Sequence, residues 1–139
     1  MIRRRATISV LLAAAAATAC GSASAPKKPD LPQSVAPDWT LKTFDRAAPP
    51  SGLPANVPTV TPPAQCWRAD YVSEGTAAVW ICGYIEGSSA FDALQRARAE
   101  ADTVKFQQDR YLTIVQWKGV TREEITALIR ALQKALKGS

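Results

Sequence analysis

Histidine is absent from all 139 residues, which removes the commonest general base near neutral pH and the commonest metal ligand. Without it, no Ser-His or Cys-His pair exists to activate a nucleophile. The CxxC, HExxH, phosphate-loop and EF-hand spacings are missing too. No catalytic residue, metal or cofactor is therefore expected. Excess charge of one sign is also lacking. Setting aside Arg3, Arg4 and Arg5 at the start leaves 14 of the 17 basic residues against 12 acidic ones, a net of +2. No Lys and Arg cluster stands out, so nucleic acid is not an expected partner. The longest stretch of small and apolar residues, Ala6 to Ala19, is too short to cross a bilayer comfortably.

What is present divides the chain in two. All ten prolines fall between Pro26 and Pro63. The front is thus proline-rich, and the part from about Ala64 onward folds separately. A folding unit that short has a modest core, so a covalent staple is a reasonable expectation.

Met1-Ile2-Arg3-Arg4-Arg5 followed by Ala6 to Ala19 has the tripartite form of a secretory signal. It ends Ala17-Thr18-Ala19-Cys20-Gly21, which resembles the lipobox of bacterial lipoproteins, with Ala17 where that family usually carries Leu. The resemblance implies a signal peptide over residues 1–19 and lipidation of Cys20 as the mature N-terminus. It also implies an extracytoplasmic protein, possessing a membrane anchor of lipid in a bacterial envelope. Gly21, rather than Asp, keeps an outer-membrane address open for a Gram-negative source. The alternative is cleavage by ordinary signal peptidase, which leaves Cys20 an odd thiol.

Residues 20–37 read as a flexible, solvated linker with nothing to bury, and residues 38–139 as one small domain. Trp39 to Phe44 alternates apolar and polar positions, which predicts an edge strand. Ala47 to Ala64, with Pro49-Pro50 and Pro62-Pro63, reads as an extended loop. It either covers the sheet or serves a proline-binding partner.

Cys66 to Val72 and Thr76 to Cys82 form a hairpin around Ser73-Glu74-Gly75, with Gly75 where a left-handed residue is wanted. Pairing Val72 with Thr76 places Cys66 opposite Cys82, so the sulfurs meet and a disulfide is predicted. One face carries Trp67, Ala69, Tyr71, Ala77, Val79 and Ile81 and should be the core. The other carries the cysteines, Asp70, Ala78 and Arg68 opposite Trp80, placed for stacking. A helix from a Ser89 cap to about Ala101 follows, with Arg96–Glu100 and Arg98–Asp102 spaced for ion pairs. A second hairpin pairs Phe106 with Leu112 and Val104 with Ile114 across Gln108-Asp109-Arg110, because a shorter loop would scramble its apolar face. Thr121, Glu124, Val120 and Ile125 carry the capping box and hydrophobic staple of a last helix. Its apolar stripe is Ile125, Leu128, Ile129, Leu132 and Leu136.

The order β-ββ-α-ββ-α predicts an α+β fold: an antiparallel sheet of about five strands with two helices packed on one face. This body is similar to small secreted bacterial domains of unassigned function, a likeness that implies no activity. The face away from the helices would gather Arg68, Trp80, Tyr84, Tyr111 and Trp117, with Val115, into a candidate binding surface. The fold-back of Trp39, Phe44 and the proline-rich loop over that face is the competing expectation. The reading of function is a lipid-anchored binding or envelope-assembly module whose partner is an envelope protein. The alternatives are a periplasmic carrier of a small apolar ligand and, third, a hydrolase using carboxylates such as Asp70 and Glu86.

Overall fold

The hairpin register is the feature on which the rest is built. The structure, a computed structural model, describes residues 24–50, 61–98 and 100–137, so the leader and Cys20 lie outside the described residues. Strands β3 (Gln65–Val72) and β4 (Thr76–Gly83) pair with Cys66 opposite Cys82 and Val72 opposite Thr76, as predicted. The Cys66 carbonyl accepts from the Ala47 amide on the side away from β4. Cys66 and Cys82 are therefore a narrow, non-hydrogen-bonded pair, the kind that brings side chains closest. Their Cα atoms are 4.1 Å apart and the sulfurs are joined. Gly75 has a different role from the one predicted. It is not left-handed; a Cβ there would collide with the Lys118 carbonyl, so glycine permits close approach of two backbones.

The sheet has six antiparallel strands rather than about five. β1 (Ser34–Val35) is the addition, paired with β2 (Trp39–Arg46); β5 (Thr103–Gln108) and β6 (Tyr111–Lys118) complete the order β1-β2-β3-β4-β6-β5. The second hairpin corrects the expected register. Its loop is only Asp109-Arg110, so Gln108 faces Tyr111, Phe106 faces Thr113 and Val104 faces Val115. Asp109 takes the left-handed conformation (φ 51°) that such a tight turn demands. The apolar pattern misled because Tyr111 to Val115 is buried without interruption, so β6 carries no in-out alternation to read.

The two helices lie on opposite faces, which corrects the two-layer expectation. α2 (Arg122–Leu136) buries Ile125, Leu128, Leu132 and Leu136 against Trp67, Ala69, Tyr71, Val79, Val115 and Trp117. α1 (Gly87–Arg96) sets Ala90 and Ala93 over the disulfide, Tyr84 and Leu112 on the other side. β4 and β5 run in the same direction with β6 between them, so α1 is a crossover whose hand fixes its face. Its small alanines let it sit close over the bridge. α1 also starts at a Glu86 cap without side-chain help, not at Ser89. It ends at Arg96, where Lys105 Nζ donates to the Leu94 and Ala97 carbonyls at 2.9 and 2.6 Å. This cation closes the negative helix end. The helix therefore stops before Arg96–Glu100 or Arg98–Asp102 can pair across a turn. α2 begins as predicted, with the Thr121 and Glu124 capping box formed in both directions.

The segment expected to be a solvated linker is, from Ser24 on, a strap across the α2 side of the sheet. Tyr111 donates to the Lys27 carbonyl at 2.6 Å and Tyr71 to the Pro32 carbonyl at 2.7 Å. Pro26, Pro29 and Leu31 are buried, and Pro26 lies so near Gly83 that a Cβ there would come within 2.5 Å of it. The signal missed was tyrosine, whose buried hydroxyls need partners that a passing carbonyl supplies. Burial pushes the Tyr71 phenol up to about 12.

Thr113 is fully buried between Phe106 and Ile81, and its hydroxyl is the one buried side-chain polar atom among the described residues without a partner. Leaving such a group unpaired costs free energy that an isosteric methyl avoids. Thr113→Val is expected to raise stability by about 1 kcal/mol in chemical denaturation. A destabilised variant would mean that the hydroxyl is bonded in solution.

Candidate functional site

The five residues expected to form one aromatic surface are divided among three places. Tyr111 and Trp117 lie with Val115 on the α2 side, buried in the main core, where Trp67 tilts against Tyr111 at 6.5 Å. Tyr84 is buried under α1, which pushes its phenol up to about 12. Only Arg68 and Trp80 remain on accessible sheet. Two things account for the split: the β4–β6 pairing sets Trp117 opposite Ala77 and Val115 opposite Val79, which puts Tyr111 and Trp117 on the α2 side, and α1 covers Tyr84 on the other side.

What survives is a half-open face. α1 covers the end of the sheet at Cys66, Cys82 and Leu112, and leaves β2, β3, β4 and β6 open beyond it. There the Arg68 guanidinium carbon stands 4.9 Å from the Trp80 ring centroid, the predicted stack. Arg68 also donates to Asp70 Oδ1 from Nε at 3.3 Å and from Nη2 at 3.1 Å. Thr43 Oγ1 donates to Asp70 Oδ2 at 2.9 Å. With side chains 46% and 39% exposed, the ion pair contributes no more than about 1 kcal/mol to stability. Its effect is orientational: it helps to hold the guanidinium over the indole.

Two depressions flank Trp80 and Ala78 on this face. One, about 90 Å³, is bordered by Pro50, Trp80, Arg98, Glu100, Ile114 and Gln116. The other, about 480 Å³, is bordered by Arg68, Asp70, Ala78, Asp102, Gln116 and Lys118. They share Gln116 and form a shallow, polar trough with an indole in its floor. Pro50, from the proline-rich loop, is at its rim. Whether the loop covers the face turns on residues 51–60, which lie outside the described residues. Trp39 and Phe44, the other proposed covers, are on the opposite side, Trp39 buried in the α2 core and Phe44 packed against it.

Asp70 and Glu86 are not brought together. Asp70 lies opposite Ala78, and Glu86 follows β4, where Ser88 donates to it at 3.4 Å. The five strand steps from Ala78 to Gly83 alone separate them by about 16 Å. Among the described residues no group of three or more Cys, Asp and Glu side chains converges as a metal site would require. No helix there is long and apolar enough to cross a membrane. No family model, curated protein or solved structure matches this chain.

Proposed function

We propose that the protein is a lipid-anchored, extracytoplasmic binding or envelope-assembly module, and that its partner docks on the half-open sheet face around Arg68 and Trp80. The observation that carries this reading is the Arg68–Trp80 stack, set in an accessible trough and steadied by Asp70 and Thr43. Arg and Trp are the side chains that most often anchor protein interfaces. A shallow, polar trough suits a protein segment better than a small apolar ligand. The depression beside Trp80, about 90 Å³, is well below the 300 Å³ or so at which ligand pockets begin. The larger depression is lined by charge. The anchor is supported by Ala17-Thr18-Ala19-Cys20, and export by the disulfide, which belongs in an oxidising compartment.

A photoreactive residue at Gln116, in the trough, is expected to crosslink one envelope protein in intact cells. The same probe at exposed Arg130 on α2 should not. Adding Trp80→Ala should weaken the Gln116 adduct by about tenfold, the loss of one aromatic anchor. Equal labelling from both positions would refute docking on this face.

A further inference from the structure

We infer that the end of the sheet carrying Ile85 and Phe91 rests on the lipid surface, so that two apolar side chains seat the domain beside its N-terminal lipid. Isolated exposed apolar residues are ordinary on protein surfaces. Here the large ones among the described residues are Ile85 and Phe91, 40% and 49% exposed, six residues apart where β4 gives way to α1. Ile85 follows β4 closely, and Phe91 is one turn into α1, about 6 Å along the axis from Gly87.

The N-terminal segment arrives at this same end. Arg110 Nη1 donates to the Ser24 carbonyl at 2.6 Å, and the Tyr84 amide donates to the Arg110 carbonyl at 2.8 Å. The docked chain thus begins beside the residue that precedes Ile85. Cys20 is four residues before Ser24, a reach of about 14 Å at full extension. The inference rests on lipidation of Cys20. Given that anchor, Ser24 cannot leave the headgroup region by more than this reach, and the Arg110 turn is one arginine side chain beyond it. The hairpin tip at Glu74 is about 23 Å away, the seven strand steps from Gly83 to Thr76.

Charge at this end favours an apolar contact over an electrostatic one. Lys27, Lys28, Arg46 and Arg110 are offset by Asp45, Glu86, Asp92 and Asp109, so the end is close to neutral and anionic headgroups are not favoured over zwitterionic ones. Seating should therefore occur on zwitterionic lipid, with the depth of an interfacial side chain. In this pose the trough around Trp80 points sideways, clear of the bilayer and open to a partner.

The test uses the full lipidated chain on phosphatidylcholine vesicles that contain nitroxide-labelled lipid. A fluorophore is attached after oxidative folding to Ser88→Cys, exposed between Ile85 and Phe91, or to Glu74→Cys at the hairpin tip. Quenching at 88 is expected to exceed that at 74 by about threefold or more, and 20% phosphatidylglycerol (a round figure, roughly that of an anionic leaflet) should not raise it. The pair Ile85→Ser and Phe91→Ser, exposed and so compatible with folding, should remove most of the difference. Equal quenching at both sites on vesicles that carry the protein would overturn the seating and leave the anchor standing. Strong quenching at 88 that survives the serine pair would show proximity by tether alone and would overturn the apolar contact. Failure of the protein to float with vesicles would overturn anchor and seating together.

Discussion

Replacing Cys66 and Cys82 together with alanine is expected to lower the stability of the domain by about 3 kcal/mol, because the bridge closes a loop of about seventeen residues in the unfolded chain. Both residues are buried beneath α1 with Ala90, Ala93, Leu112 and Tyr84, so lost packing adds to that figure. For a domain this small the change is a large share of its total stability. Chemical denaturation with and without reductant measures it directly. Wild type should lose stability on reduction, and the alanine pair should be indifferent to reductant. A wild-type midpoint that is the same in both buffers would remove the bridge from the account of stability. Because α1 is seated over the sulfurs, the loss should first appear as faster amide exchange in α1, ahead of α2.

Trp39→Ala is expected to cost about 3–5 kcal/mol, the range for deleting a large buried aromatic side chain. Trp39 is 1% exposed and packs in the α2 core, although it begins a strand near the sheet edge. Its Nε1 donates to the Glu124 carbonyl at 3.0 Å, so it ties β2 to the first turn of α2. Trp39→Phe keeps most of the apolar bulk and loses the hydrogen bond, with an expected cost of about 1–2 kcal/mol. The two variants separate packing from tethering. Equal losses would give the hydrogen bond the larger share, and an alanine variant within about 1 kcal/mol of wild type would contradict burial of this ring.

The first hairpin and the last helix were legible because each carries its information locally. Seven rungs counted from Val72 and Thr76 lead to Cys66 and Cys82, and nothing distant can change that count. The capping box at Thr121 and the stripe from Ile125 to Leu136 are likewise read within one element. The second hairpin was not legible. Residues 111–115 are buried on both sides, and a strand covered twice has no alternation from which to choose a register. The candidate site was legible only in part. Arg68 and Trp80 were predicted as a pair because they sit opposite each other in one hairpin. Tyr84, Tyr111 and Trp117 were grouped with them through an assumed layout of strands and helices, and that layout differs.

From its residues alone the chain determined an α+β body, a bridged ribbon, a helix with an apolar stripe and a stacked Arg–Trp pair, since all of these depend on neighbours a few positions or one turn apart. Tertiary structure decided which side of the sheet each helix takes, that Ser24 to Gln33 is a strap, and that Tyr84, Tyr111 and Trp117 are buried away from Trp80. These outcomes depend on strand order and on the hand of the β4–α1–β5 crossover. Both are settled by contacts between segments far apart in sequence, where periodicity and capping carry no signal.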